Sequence, residues 1–156
     1  ILRKRVEEKY RDPAQPIYPN TRSEAVVRGE VFEWMASRDR TLTCAGAFEK
    51  GATNAYNDGK LPAFLKEWTN TYGKDRCMFV LACTMAQRGG DERFYLPARQ
   101  AAAKFKAQLE RIGNRIDDYA VNTHSCIVNA AMECLAKPER SKEKSVVQKK
   151  KQQPER

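Results

Sequence analysis

His124-Ser125-Cys126 is the one place in the chain where an imidazole, a hydroxyl and a thiol stand in consecutive positions. A nucleophile needs its base within hydrogen-bond reach, and consecutive residues of a helix point in different directions. His124 is the only histidine, so no second imidazole can act as base. The reading that fits is a cap, with Thr123 or His124 opening a last helix. Structural zinc asks for four ligands at finger-like spacing. The thiols Cys44, Cys77, Cys83, Cys126 and Cys134 contain no C-x-x-C. Carboxylate pairs stand at Asp91-Glu92 and Asp117-Asp118, both beside expected helix ends. Two-metal hydrolysis needs several converging carboxylates, whereas solvated acidic residues at a helix boundary are ordinary. Gly89-Gly90 lacks the following G-K-[ST] of a phosphate-cradling loop. No catalytic residue, metal or cofactor is assigned, and a non-enzymatic protein is expected.

The stronger signal is basic. On one continuous helix from Pro97 to about Asp118, Lys104, Gln108, Arg111 and Arg115 would share a side. That side lies next to the apolar face of Ala101, Phe105, Leu109, Ile112 and Ile116, which steps by four, four, three and four. Arg88, Arg93 and Arg99 lie just upstream and would extend the stripe. Such a stripe suits phosphate contacts at helical spacing or an acidic partner surface. An ordinary solvated face is the competing reading.

Charge elsewhere is concentrated at the ends. The chain of 156 residues carries a formal net charge of +9. Residues 1–11 contribute +3 and residues 137–156, with Lys149, Lys150 and Lys151, contribute +5, leaving 12–136 nearly neutral. Basic ends attract polyanions in a salt-sensitive way, or simply solvate the chain. The expected organisation is a basic N-terminal extension at 1–11, one globular domain at 12–136 and a flexible basic tail at 137–156. No apolar run approaches the ~20 residues of a bilayer span, and Ile1-Leu2 runs directly into Arg3-Lys4-Arg5 with no signal-peptide core. No membrane role is expected. An odd number of cysteines in apolar surroundings reads as reduced, mostly buried thiols in a cytoplasmic protein.

The elements that must position these residues read as helices. Three prolines between Asp12 and Asn20 favour an extended segment laid across the domain. Helices are expected at about Ser23–Ser37, with Val27, Val31, Trp34 and Met35 inward, and at about Arg40–Tyr56, closed by Gly59. A third runs from Pro62 to Gly73. The run Cys77–Cys83 is apolar all round and reads as a central buried helix over about 76–87, with a buried strand as the competing assignment. A short strand at Phe94-Tyr95, the long helix and a last helix at about Thr123–Ala136 complete the reading. The fold class is mainly α: a compact bundle of about six helices, with one short β segment at most and flexible basic termini.

Tyr18-Pro19, Ala25, Gly29-Glu30, Ser37, Cys44 and Ala47-Phe48-Glu49, then Val80-Leu81-Ala82, Thr84, Asp91 and Arg93-Phe94, together resemble an uncharacterised domain family of mobile genetic elements. That family occurs in large antirestriction-like proteins of conjugative elements in gut bacteria. The chain departs from its pattern at Glu92, where the family has glycine, and at Ser125, where it has proline. The resemblance covers roughly residues 17–136 and brings no catalytic residues. It implies an anti-defence setting in a bacterial host. The partner it suggests is a CRISPR effector nuclease with its guide RNA or target DNA, inhibited by direct binding as an anti-CRISPR protein would. A nucleic-acid-binding accessory of a conjugative element and a structural subunit of an RNA–protein assembly are the alternatives.

Overall fold

Gly29 and Gly59 decide where the longest helix begins and ends. In the computed structural model, which describes residues 2–89 and 93–137, both glycines take positive φ, +72° and +71°. Helix α1 spans Leu2–Lys9 and α2 Arg22–Arg28. Thr21 caps α2 through a capping box with Glu24. Gly29 stops it: the Glu30 N–H donates to Ala25 O at 2.8 Å and the Gly29 N–H to Val26 O at 3.2 Å, the paired bonds of a Schellman end. Helix α3 then runs unbroken over Val31–Asn57. The boundary expected near residues 38–39 therefore lies at Gly29. Within α3, Thr41 satisfies its buried hydroxyl on Ser37 O at 2.8 Å. Val27 does not face the core as expected but is 87% exposed.

Pro62 sits in the first turn of α4 (Leu61–Tyr72), whose C-terminal cap is Gly73. Helix α5 (Lys74–Gln87) is buried continuously from Arg76 to Met85 and is the central helix expected from its apolar run. Around it pack α3, α4 and the later helices α6 (Leu96–Ala103), α8 (Ile116–Tyr119) and α9 (Ser125–Ala136). Between α6 and α8 stands α7, Lys106–Ile112. Two aromatic groups fill the core. Phe48 contacts Trp68 and Phe64 at 4.7 and 6.0 Å between centroids, and Phe79 contacts Phe105 and Tyr119 at 5.9 and 5.7 Å. Gly51 lets α3 and α4 approach, since a Cβ there would collide with the Phe64 ring.

Residues 12–20 cross this helical layer as a strap, extended as expected only from Pro16 to Pro19: residues 12–15 instead close a turn, the Gln15 N–H donating to Asp12 O and the Ala14 N–H to Asp12 Oδ1, each at 2.9 Å. The Tyr18 N–H donates to Ser37 Oγ at 2.9 Å, and the Tyr18 hydroxyl donates to Glu30 Oε1 at 2.7 Å. The N-terminal helix α1 docks on α3 through Val6 and Tyr10 against Ala36. Among the described residues there is no strand. Phe94, expected in one, lies buried in a bend, and the Tyr95 N–H beside it donates to Asn129 Oδ1 at 3.0 Å. Cys44, Cys77 and Cys83 are buried thiols, Cys134 is half-buried and Cys126 is exposed. No described helix is long and apolar enough to cross a membrane.

Candidate nucleic-acid interface

The continuous basic helix does not form. Phe105 (φ −100°, ψ 5°) separates α6 from α7, and its N–H bonds one residue too tightly for an α-helix, to Ala102 O at 3.0 Å. Gly113 (φ 56°, ψ −121°) ends α7, and a 3-10 turn over Gly113–Arg115 leads into α8. Only glycine enters that backbone region easily. The apolar side survives both breaks: Phe105 is in the core, with Ala101, Leu109, Ile112 and Ile116 packed on it.

The stripe is thereby dispersed. Lys104 pairs with Asp75 at 3.1 Å. Gln108 is half-buried beneath the strap. Arg111 donates from Nη1 to Pro19 O at 2.8 Å and so ties α7 to the strap's end. Arg88 donates to Val121 O at 2.8 Å and Ser125 Oγ at 3.1 Å, and so is committed to the segment that opens α9. Burial lowers its pKa, with the nearby Arg93 adding to the effect. Arg93 is exposed and Arg99 half-buried. Lys149, Lys150 and Lys151, like the Asp91-Glu92 pair, lie outside the described residues.

Arg115 goes to a new neighbourhood. Its guanidinium stands 5.6 Å from the centroid of the Trp34 ring, where Arg22 (5.7 Å) and Arg38 (6.0 Å) also converge. Three separate elements supply these cations. Arg22 opens α2 directly after the Thr21 cap, Arg38 is one turn beyond Trp34 on α3, and Arg115 ends the 3-10 turn. Trp34 and Arg38 are half-buried, whereas Arg22, Arg111 and Arg115 are exposed. Arg38 also pairs with its neighbour Asp39 at 3.8 Å. Each exposed cation–π contact is worth about 0.5–1 kcal/mol. The three guanidiniums repel one another at the same time, and an anion laid among them would relieve that repulsion. Arg111 continues the surface toward Glu24, whose carboxyl is held below its ordinary range by Thr21's backbone and hydroxyl, with Arg111 adding a smaller pull.

Of the residues singled out in sequence, Arg115 therefore joins the cluster and Arg111 borders it. Arg22, Arg38 and Trp34 belong to it without having been expected there. The only sequence signal for them was the (i, i+4) spacing of Trp34 and Arg38 on one helix face. His124 caps α9 as expected, its Nδ1 accepting the Cys126 N–H at 3.3 Å. Asp117 and Asp118 are exposed on α8, and Asp117 accepts from Gln87.

The chain is thus a helical domain whose most charged aromatic feature is an arginine-ringed tryptophan. It belongs to the DUF3849 family, described as proteins of unknown function, whose model matches residues 17–139. No curated protein and no solved structure matches the chain.

Proposed function

We propose that this chain is a non-enzymatic binding domain that docks on a nucleic-acid-bearing partner through the surface around Trp34. The observation that carries the reading is the convergence of Arg22, Arg38 and Arg115 on one partly open indole. Guanidiniums gathered over an indole suit an unpaired strand, whose bases stack on aromatic and guanidinium planes while its phosphates meet the arginines. In the anti-defence setting implied by the resemblance, the partner is a guide-loaded type II CRISPR nuclease in the bacterial cytoplasm. The domain would then inhibit it by stoichiometric contact with exposed guide RNA or displaced DNA.

The test is binding of a fluorescent single-stranded RNA, with duplex DNA of equal length beside it, across a salt series. Trp34 emission should quench on RNA binding. Charge reversal of Arg22, Arg38 and Arg115 should abolish the quench. Losing three phosphate contacts should make the log–log salt slope about 2 units shallower on a single strand. Unchanged affinity and slope in a variant with native helicity would refute the reading. Guide-directed DNA cleavage, with the domain added before or after target DNA, then tests the inhibitor. Loss of cleavage near equimolar domain supports it. Full cleavage, together with a steeper salt slope on duplex DNA than on RNA, would favour the conjugative accessory instead.

A further inference from the structure

Arg76 is a second basic feature, apart from the arginines around Trp34. It lies in the first turn of α5 and is only 2% exposed. Its Nε donates to Thr41 Oγ1 at 3.1 Å and its Nη2 to Ser37 Oγ at 3.3 Å, both neutral hydroxyls. The Tyr10 ring stands 6.0 Å from the guanidinium. The ionisable groups that act on it most are Cys44, Arg40, Tyr10 and Cys77, and none is a carboxylate. Arginine stays charged even when buried, and a buried charge without a counter-charge is costly.

Arg76 also lines a cleft of about 400 Å³ between the strap and the start of α5. Pro13, Pro16, Ile17 and Phe105 give that cleft apolar walls, and Lys74 stands at the same helix end. Asp75, the one acid in its lining, is already paired with Lys104. Helix α5 begins here on Gly73 with no side-chain cap, so its first N–H groups add positive character. A concave site of this size, with apolar walls on one side and two cations, Lys74 and Arg76, against a single acid at the helix end, has the form of a small-molecule pocket.

We infer that the cleft binds a small organic carboxylate, its charged end on Arg76 and its apolar body against Ile17, Phe105 and the two proline rings. The carboxylate supplies the counter-charge, since among the described residues no carboxylate ion-pairs with Arg76. One negative charge matches one buried guanidinium, whose planar fork fits a carboxylate.

The probe is benzoate, with benzamide as the neutral molecule of the same shape. Titration of the whole chain is followed by the ¹⁵N resonance of the Arg76 side chain and by the melting temperature. Benzoate should shift that resonance saturably and raise the melting temperature, and benzamide should bind about tenfold or more weakly. Replacing Arg76 itself risks the Ser37 and Thr41 contacts, so the blocking variant is Ala14→Trp, at an exposed position in the cleft wall. It should fold with an unchanged melting temperature and lose the benzoate response. Three results would overturn the inference: no response to benzoate at ~10 mM, far above the Kd of a working site; equal binding of benzamide; or an undiminished response in Ala14→Trp.

Discussion

Gly73→Ala perturbs the point where the strap, α4 and α5 meet. Gly73 has φ +92° and ψ 138°, a conformation that side chains avoid, and a Cβ there would collide with the Pro13 carbonyl oxygen. The expected loss has two parts. Forcing alanine into this backbone region costs about 1–3 kcal/mol. The Pro13 oxygen belongs to the strap's main chain, so relief requires the strap to move. That strains the Tyr18 N–H bond to Ser37, worth about 1 kcal/mol, and loosens Ile17 against the core. A total of about 2–4 kcal/mol follows, a large share of a typical 5–15 kcal/mol stability. Gly59→Ala is the internal control. Gly59 also has positive φ, +71°, but a Cβ there would meet nothing within 4 Å. Its substitution should cost about 1–2 kcal/mol from backbone conformation alone. Urea unfolding of both variants measures the difference, and the Tyr18 amide should exchange faster in Gly73→Ala alone. Two variants within about 1 kcal/mol of each other, inside the scatter expected of single-site costs, would refute the claim that the strap is locked at this crossing.

Other substitutions test other contacts. Thr84 is fully buried, donates to Val80 O and accepts the Val121 N–H, each at 2.9 Å. Thr84→Val should therefore cost about 1–3 kcal/mol in chemical unfolding, because it leaves the Val121 N–H unpaired, while Thr84→Ser keeps most of the stability. Burial, reinforced by Glu33, pushes Tyr10 up to about 12 from an ordinary 10.0. The folded state then holds a proton that the unfolded state gives up. This contribution to stability is complete below pH 10 and is lost as pH rises from 10 to 12, and Tyr10→Phe should remove that part of the decline in a pH series of unfolding curves. Among the thiols, Cys126 should be alkylated first in the native protein. Burial raises the pKa of Cys77 and Cys83, so with Cys44 they should label only on unfolding, as peptide mass spectrometry would read out.

Helix content was legible wherever an apolar pattern had only one way to be buried. The run 77–83 became the fully enclosed part of α5, and the spacing of Ala101, Phe105, Leu109, Ile112 and Ile116 correctly named a core-facing side. Periodicity reports which side faces inward, not whether the backbone is continuous. A tight turn at Phe105 and a glycine-only turn at Gly113 keep that side while breaking the helix, so Lys104, Gln108, Arg111 and Arg115 do not share the one side expected of a continuous helix. The α2–α3 boundary was misplaced for a related reason. Gly29 acts through two backbone hydrogen bonds that leave no mark on the hydrophobic pattern. The Trp34 cluster was out of reach because its cations come from three elements that only tertiary packing brings together.

Framework and surface can now be separated by experiment. The residues that carry the resemblance are mostly tied into the fold. Tyr18 is held by Glu30 and Ser37, Thr84 holds Val121, and Glu49 accepts the Asn122 N–H at 2.6 Å. None of these is one of the arginines around Trp34. A framework substitution such as Ser37→Ala removes the acceptor shared by Tyr18 and Arg76, and should lower stability by about 1–3 kcal/mol. Any loss of RNA affinity it causes should track the unfolded fraction and vanish at low temperature. Arg115→Glu touches an exposed side chain whose contact is the half-buried indole of Trp34. It should leave the unfolding midpoint almost unchanged, as exposed substitutions do, yet weaken RNA binding at every temperature. If Arg115→Glu instead destabilised the fold as much as Ser37→Ala, the arginines would be part of the framework. The guanidinium cluster would then be a packing device, and the nucleic-acid reading would lose its physical basis.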